Sequence, residues 1–230
     1  DVDGRLWVAG GAMEGFVAVL EDDAFVEVGP RFSGMVTRLA LAPRQVGKPQ
    51  EVAAGGVFES VGEVPAKRVA RWDGEQWHGL GDEIEFTVSL LSWGRDGIWV
   101  GAYGFEPEDD HTTLARWDGT RWVEMATPEN GLGAPAEETV HTFTDLVHFD
   151  GGMIAVGFVW TEAGERNVFH WDGERFHLIR GGVGAIAVDG AALTRHGLLL
   201  TGSIAEADLL GEKLPSVGAA LLTWPEAGTP

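Results

Sequence analysis

The sequence contains no cysteine, a single tyrosine, and only three lysines among its 16 basic residues. The absence of cysteine excludes disulfide bonds and zinc sites built from thiolates, and it is compatible with both the cytosol and secretion. No apolar run approaches the ~20 uninterrupted residues that a membrane-spanning helix requires. We therefore expect no membrane span.

Basic residues are too few for a nucleic acid partner, because the chain carries a net charge of −20 and phosphate binding requires clustered Lys and Arg. An acidic, lysine-poor surface suits an extracellular or cell-surface protein, although charge also simply keeps a protein soluble. The chain starts at Asp1 without Met or a signal sequence, which indicates a processed chain or a fragment.

One phrase recurs three times along the chain. It reads VARWDGEQWHGLG at 69–81, LARWDGTRWVEMA at 114–126 and VFHWDGERFHLIR at 168–180. A second phrase, an apolar run that ends in small residues, precedes each copy and occurs five times: LWVAGG, EVAAGG, IWVGAY, MIAVGF and LLLTGS. A fixed internal period is the signature of a repeat architecture, so the chain is predicted to contain five units of roughly 50 residues.

Each unit is predicted to contain short strands A to D. Strand A is apolar, a tight turn such as GRDG (94–97) follows, strand B carries the small-residue phrase, and the recurring WDG phrase joins strands C and D. No stretch shows a helical period with capping residues. The predicted fold is all-β, a β-propeller of about five four-stranded blades at roughly 1–34, 35–81, 82–133, 134–182 and 183–230, in a single domain spanning 1–230.

The WDG phrase is predicted to be a structural clasp. Asp can accept backbone hydrogen bonds from residues just beyond it, and Gly adopts positive φ readily, so the pair forms a hairpin turn. The aromatic residue before the turn then faces the aromatic after it, as Trp72 faces Trp77. Such cross-strand pairs add about 0.5–1 kcal/mol of stability to a hairpin.

These motifs resemble the kelch and galactose-oxidase-central-domain propeller repeats, and they are closer still to bacterial surface-protein repeats that combine GGxF with WDGxxW. The resemblance covers essentially the whole chain and implies a propeller with a binding or scaffolding role. It implies no catalytic residue. About eighteen strands are predicted where five full blades need twenty, because the first unit lacks strand A and the last lacks strand D. The end blades are therefore three-stranded, or the chain is a segment of a larger propeller.

Sites are better sought in what one unit has and the others lack. The stretch FEPEDDHTT places Glu106, Glu108, Asp109 and Asp110 close together, and oxygen ligands of this kind are those that Ca²⁺ prefers. The EF-hand spacing is absent, so a calcium site competes with the more common interpretation, a solvated acidic loop.

Two further patterns allow a binding and a structural interpretation. Phe58, Phe105 and Trp160 follow strand B at the same spacing. Their rings are candidates for stacking against sugars or, because they recur, for packing beneath the loops. His170 and His177 flank the third WDG hairpin, where two imidazoles could bind a transition metal but are more simply a chance cross-strand pair.

The leading functional hypothesis is a non-enzymatic interaction module that binds a protein or a glycan through the face bearing the longer B–C and D–A loops. One alternative is a structural subunit of an extracellular assembly, in which neighbouring chains complete the end blades. Another is a glycosidase-like or lyase-like propeller enzyme with an acidic centre.

Overall fold

The computed structural model describes residues 5–102, 114–127, 129–132, 141–161, 164–179, 183–209, 212–215 and 218–223. These residues form 21 strands and no helix, and every strand pair is antiparallel. The all-β prediction is confirmed. Nowhere in this described part is there a helix long and apolar enough to cross a membrane.

The chain divides into two compact units. The first holds three larger sheets and one two-stranded sheet, and the second holds two sheets. The strands of the first unit are β1 (Trp7–Gly10), β2 (Phe16–Glu21), β3 (Ala24–Glu27), β4 (Met35–Leu41), β5 (Val52–Val57), β6 (Ser60–Val61), β7 (Val64–Pro65), β8 (Val69–Trp72), β9 (Trp77–Gly79), β10 (Val88–Gly94), β11 (Gly97–Ala102), β12 (Leu114–Trp117) and β13 (Trp122–Glu124). Those of the second are β14 (His141–Phe149), β15 (Gly152–Thr161), β16 (Gly164–Trp171), β17 (Phe176–Leu178), β18 (Val183–Thr194), β19 (Gly197–Leu209), β20 (Glu212–Pro215) and β21 (Ala219–Thr223).

Five sheets follow one another along the chain, each an up-and-down meander. Their orders are β1-β2-β3, β4-β5-β8-β9, β10-β11-β12-β13, β14-β15-β16-β17 and β18-β19-β21. Along the meander they contain three, four, four, four and three strands, and β20 pairs with β19 as a fourth strand of the last sheet. The eighteen predicted strands are therefore present, and the described residues of the end sheets lack the same two strands as predicted. The remaining strands, β6, β7 and β20, lie within B–C connections and were not predicted.

The predicted clasp forms in all three WDG hairpins. Trp72 pairs with Trp77, Trp117 with Trp122 and Trp171 with Phe176, with ring centroids 5.6, 5.4 and 4.7 Å apart. The glycines of these turns have φ of +106°, +106° and +103°, a conformation that residues with a side chain seldom adopt. Local turn chemistry therefore fixes the register of each C–D hairpin.

The clasp residues lie on one face of their sheet, which we call the clasp face. In the first unit, Ala54, Ala70 and Trp77 on the clasp face of the second sheet pack into one core cluster with Val17 of the first sheet. The clasp face of the third sheet packs in the same way against the second, through Ile98 and Val100. Within each unit, a sheet thus buries its clasp face on the sheet before it and its opposite face on the sheet after it.

A tryptophan hydrogen bond fixes this stacking at the outer edge of the sheets. The indole nitrogen of Trp77 donates to the carbonyl of Val28, directly after strand D of the preceding sheet, at 2.9 Å. Trp122 repeats the contact one sheet later and donates to Leu80 at 2.5 Å. The second aromatic of the clasp therefore closes its own hairpin and also joins two sheets.

A hydroxyl group performs the corresponding task at the inner edge, where strand A carries a β-bulge. Thr37 lies in the bulge of β4, and its hydroxyl donates to Val88 of the next strand A at 2.9 Å. In the second unit the hydroxyl of Thr144, in the bulge of β14, donates to Val188 of β18. The second and third sheets are thus joined by side chain to backbone hydrogen bonds at both edges.

Replacing Trp77 with Phe should lower the free energy of unfolding by about 1–2 kcal/mol, because the half-buried carbonyl of Val28 loses its donor. Denaturant unfolding measures this. The matched control is Trp72→Phe, which trims the other ring of the same clasp but breaks no hydrogen bond seen among the described residues. Equal losses in the two variants would contradict an inter-sheet role for the indole nitrogen.

Candidate interaction surface

The B–C and D–A connections emerge at the same end of each meander, because successive strands run in opposite directions. In the first unit, the structure describes four connections at this end. They are residues 11–15, 28–34, 58–68 and 80–87, which we call the loop surface. The A–B and C–D connections lie at the other end.

Backbone hydrogen bonds tie three of these connections together. Phe32 of the first D–A connection exchanges hydrogen bonds with Gly15 at 2.9 and 3.2 Å and forms a bridge with Val61 of β6. The hydroxyl oxygen of Ser33 accepts the N–H groups of Glu59 and Ser60, each at 3.0 Å. The loop surface is therefore a small β-structured platform rather than a set of independent loops.

Apolar side chains anchor the platform from beneath. Phe32 makes edge contacts with Phe58 at 4.8 Å and with Trp77 at 5.0 Å, and Val61 and Ala66 complete the cluster. Arg68, where the second B–C connection ends, has a φ of +67°, which is rare for a residue with a side chain. Its N–H donates to Phe58 and its carbonyl accepts from Gly56, so the hydrogen bonds hold this strained backbone in place.

The three aromatic residues predicted as sugar-stacking candidates have different outcomes. Phe58 is only 2% exposed, so neither face of its ring is available to a sugar, and at this position the structure fits the packing alternative. Phe105 lies outside the described residues. Trp160 lies on β15, and only the backbone of this residue is described.

Replacing Phe58 with Ala should lower the free energy of unfolding by about 3–5 kcal/mol, because it removes a buried ring from beneath the platform. Phe25→Ala is a suitable control, since that ring is exposed on β3, and it should cost far less. Thermal and denaturant unfolding compare the two variants. Near-native stability of the Phe58 variant would contradict the packing role.

The top of the platform carries charge pairs and one exposed apolar side chain. The guanidinium of Arg31 makes a two-pronged hydrogen bond to the carboxylate of Glu27, at 2.5 and 3.0 Å, and approaches Glu14 at 3.9 Å. This hydrogen bond lowers the pKa of Glu27 and raises that of Arg31. Met13, which precedes Glu14 in the chain, is strongly exposed.

Two further ion pairs extend this pattern across the second B–C connection. The ammonium group of Lys67 lies 3.6 Å from Glu85, and the guanidinium of Arg68 lies 4.0 Å from Glu59. Charges of both signs therefore alternate over the platform. Such a surface favours a partner with an equally mixed pattern of charges.

The calcium candidates Glu106, Glu108, Asp109 and Asp110 lie outside the described residues, so that site stays a prediction. In the part of the chain that the structure describes, no three His, Asp or Glu side chains come close enough to hold a metal ion.

His170 and His177 face each other across β16 and β17, as predicted, with ring centroids 6.3 Å apart. Each imidazole has another contact. His177 Nε2 lies 2.6 Å from the carboxylate of Asp172, and His170 stacks on Phe149 and lies 3.3 Å from the carbonyl of Gly151. These contacts support the interpretation of a structural cross-strand pair.

An Asp–His couple is the feature of these hairpins that the sequence analysis missed. His78 Nε2 lies 2.6 Å from Asp73, just as His177 does from Asp172. The signal was present as a histidine five residues after the turn aspartate in two of the three phrases. In the remaining phrase, at 114–126, Thr120 donates its hydroxyl to Asp118 instead.

Backbone donors hold each turn aspartate in its ionised form. The N–H groups of Arg121 and Thr120, with the Thr120 hydroxyl, lower the pKa of Asp118 from 3.8 to about 2. The N–H of Gln76 and then the His78 side chain hold the pKa of Asp73 well below its usual range. The pKa of Asp172 is lowered in the same way, mainly by the N–H groups of Arg175 and Glu174 and next by the His177 side chain.

These shifts predict a loss of stability in acid. Because the pKa of folded Asp118 lies below its unfolded value, the carboxylate stabilises the fold above pH ~4, and this contribution disappears as the pH falls from ~4 to ~2. Asp118→Asn keeps an oxygen that can accept both N–H groups but cannot ionise, so the variant should be less stable than wild type at pH 7. This difference should shrink as the pH falls to 2.5, because the wild-type carboxylate is then being protonated.

Denaturant midpoints of the variant and wild type at pH 7, 4 and 2.5 test this, since the other carboxylates cancel in the difference. An unchanged difference across the three pH values would show that Asp118 does not titrate in this range.

Acidic side chains on the described inner strands bear on the enzyme alternative. Asp145 of β14 accepts the N–H groups of Leu146 and of Ala191 on β18, each at 2.9 Å, so its carboxylate joins two sheets. Asp189 of β18 is exposed. The geometry therefore assigns a structural task to Asp145.

Comparison with known proteins gives no relative for this chain: no protein-family model matches it, and a search of curated proteins finds no similar sequence.

Proposed function

We propose that the five sheets are blades of a kelch-like β-propeller and that the chain is a non-enzymatic module that binds a protein partner through its loop surface. Support for the propeller comes from the repeated A–B–C–D meander, from the clasp faces of the second, third and fifth sheets, which pack on the preceding sheet, and from the recurring GG and WDG motifs. Propellers commonly place their binding loops at one end of the blades.

The observation that carries the choice of partner is the composition of the platform. Of its three aromatic rings, Phe32 and Phe58 are buried and Phe86 is half-buried against the core, whereas Met13 and the Arg31–Glu27 pair are exposed. Sugar recognition relies on exposed rings, whereas Met and Arg are enriched at protein–protein interfaces. A pre-organised platform also reduces the entropy lost on binding.

A photo-crosslinking residue at position 13 tests this proposal, using extracts and culture medium of cells that produce the protein. We expect a saturable adduct with one protein, identified by mass spectrometry and lost when Arg31→Glu reverses the neighbouring charge. The same residue at position 46 is the control, because Val46 is exposed in the A–B connection at the opposite end.

Equal labelling from positions 13 and 46 would contradict the proposal. Binding of the unmodified protein to a glycan array, weakened by Arg31→Glu, would replace the protein partner with a glycan.

A further inference from the structure

The outward face of the fifth sheet departs from the burial pattern of the others. On this face, strand B carries a central residue that pairs with the residue just before the first clasp aromatic. In the second, third and fourth sheets this central residue is fully buried, as Ala53, Trp99 and Ile154. Its equivalent in the fifth sheet, Leu199, is 37% exposed, and its cross-strand neighbour Leu221 is 40% exposed. Ala192 of β18, also exposed, pairs with Leu199 on the other side.

The first sheet shows the complementary departure on its clasp face. The residue of strand B that pairs with the first clasp aromatic is buried, as Val52, Ile98 and Met153. The equivalent residue of the first sheet, Leu6, lies just before β1 and is 53% exposed. The backbone carbonyl of Leu6 accepts a hydrogen bond from the N–H of Leu20, and Leu20 pairs with Phe25 across β2 and β3. These three residues therefore form a row that matches the clasps of later sheets. Phe25, at the position of Trp77, is 54% exposed.

We propose that the outward face of the fifth sheet binds the clasp face of the first sheet in a second copy of this chain. The contact continues the stacking seen inside each unit, where an opposite face always receives the clasp face of the next sheet. Leu199 and Leu221 supply the apolar opposite face, and Leu6, Leu20 and Phe25 supply the clasp.

The residue at the second clasp position supports this pairing. Trp77 and Trp122 each need a carbonyl at the outer strand D of the preceding sheet. Phe25, at the equivalent position of the first sheet, has no side-chain N–H and therefore requires no such carbonyl from the sheet it packs on.

Because the two faces differ, the association is head-to-tail, and such contacts produce rings or filaments rather than a two-fold dimer. The expected behaviour of the wild-type chain is therefore a concentration-dependent mass above the 24.6 kDa of one chain. This proposal does not depend on the loop surface.

Blocking one face at a time tests it by light scattering coupled to gel filtration. Leu199→Glu blocks the fifth-sheet face and Phe25→Glu blocks the first-sheet face, so each variant alone should have the mass of one chain. Their equimolar mixture should form a dimer, because each retains the face that the other lacks. Leu178→Glu, at an exposed leucine of β17 in the fourth sheet, should assemble like wild type.

Leu221→Glu and Leu6→Glu repeat the test at neighbouring positions, with circular dichroism as a check of folding. A wild-type chain that keeps the mass of one chain at its solubility limit would overturn the proposal. So would a mixture that stays monomeric, because the faces would then be closed within one chain or covered by another partner.

Discussion

The hydrogen bond from a clasp tryptophan to the preceding sheet is the interaction on which the rest of the arrangement depends. The indole of Trp77 reaches Val28 because the WDG turn fixes the hairpin register and because the ring packs into a core cluster shared with the preceding sheet. Loss of the turn would misplace the ring, and loss of the ring would leave a half-buried carbonyl without its donor. Turn chemistry and sheet stacking are thus coupled through one side chain.

Strand order and the clasp could be predicted from the sequence because their rules are local. Asp, Gly and two aromatics within six residues determine the hairpin at each WDG phrase, and the phrase returns. The bulge hydroxyls could not be predicted in this way. Thr37 and Thr144 are ordinary β-forming residues, and only the position of the next sheet shows that their hydroxyls join two strands.

The candidate surface was less predictable than the fold. Phe58 has the spacing of a loop-tip ring, but Phe32 lies on it from a different connection and buries it. The β6–β7 hairpin has only two residues in each strand, too few for a period-two pattern. The pairing of Arg31 with Glu27 likewise depends on the path of the chain after β3. Side chains on connections are placed by neighbours distant in sequence, which a pattern in one repeat does not contain.

The two sets of inter-sheet hydrogen bonds point in opposite directions along the chain. Trp77 and Trp122 donate to carbonyls 49 and 42 residues earlier, whereas Thr37 donates to a carbonyl 51 residues later. During synthesis on the ribosome, the carbonyl that accepts the tryptophan hydrogen bond has therefore already been synthesised when a new hairpin forms. The threonine hydroxyl can form its hydrogen bond only after the next repeat has been synthesised. Each repeat would then dock as it is completed and be locked by its successor, an order of assembly set by which residue donates and which accepts.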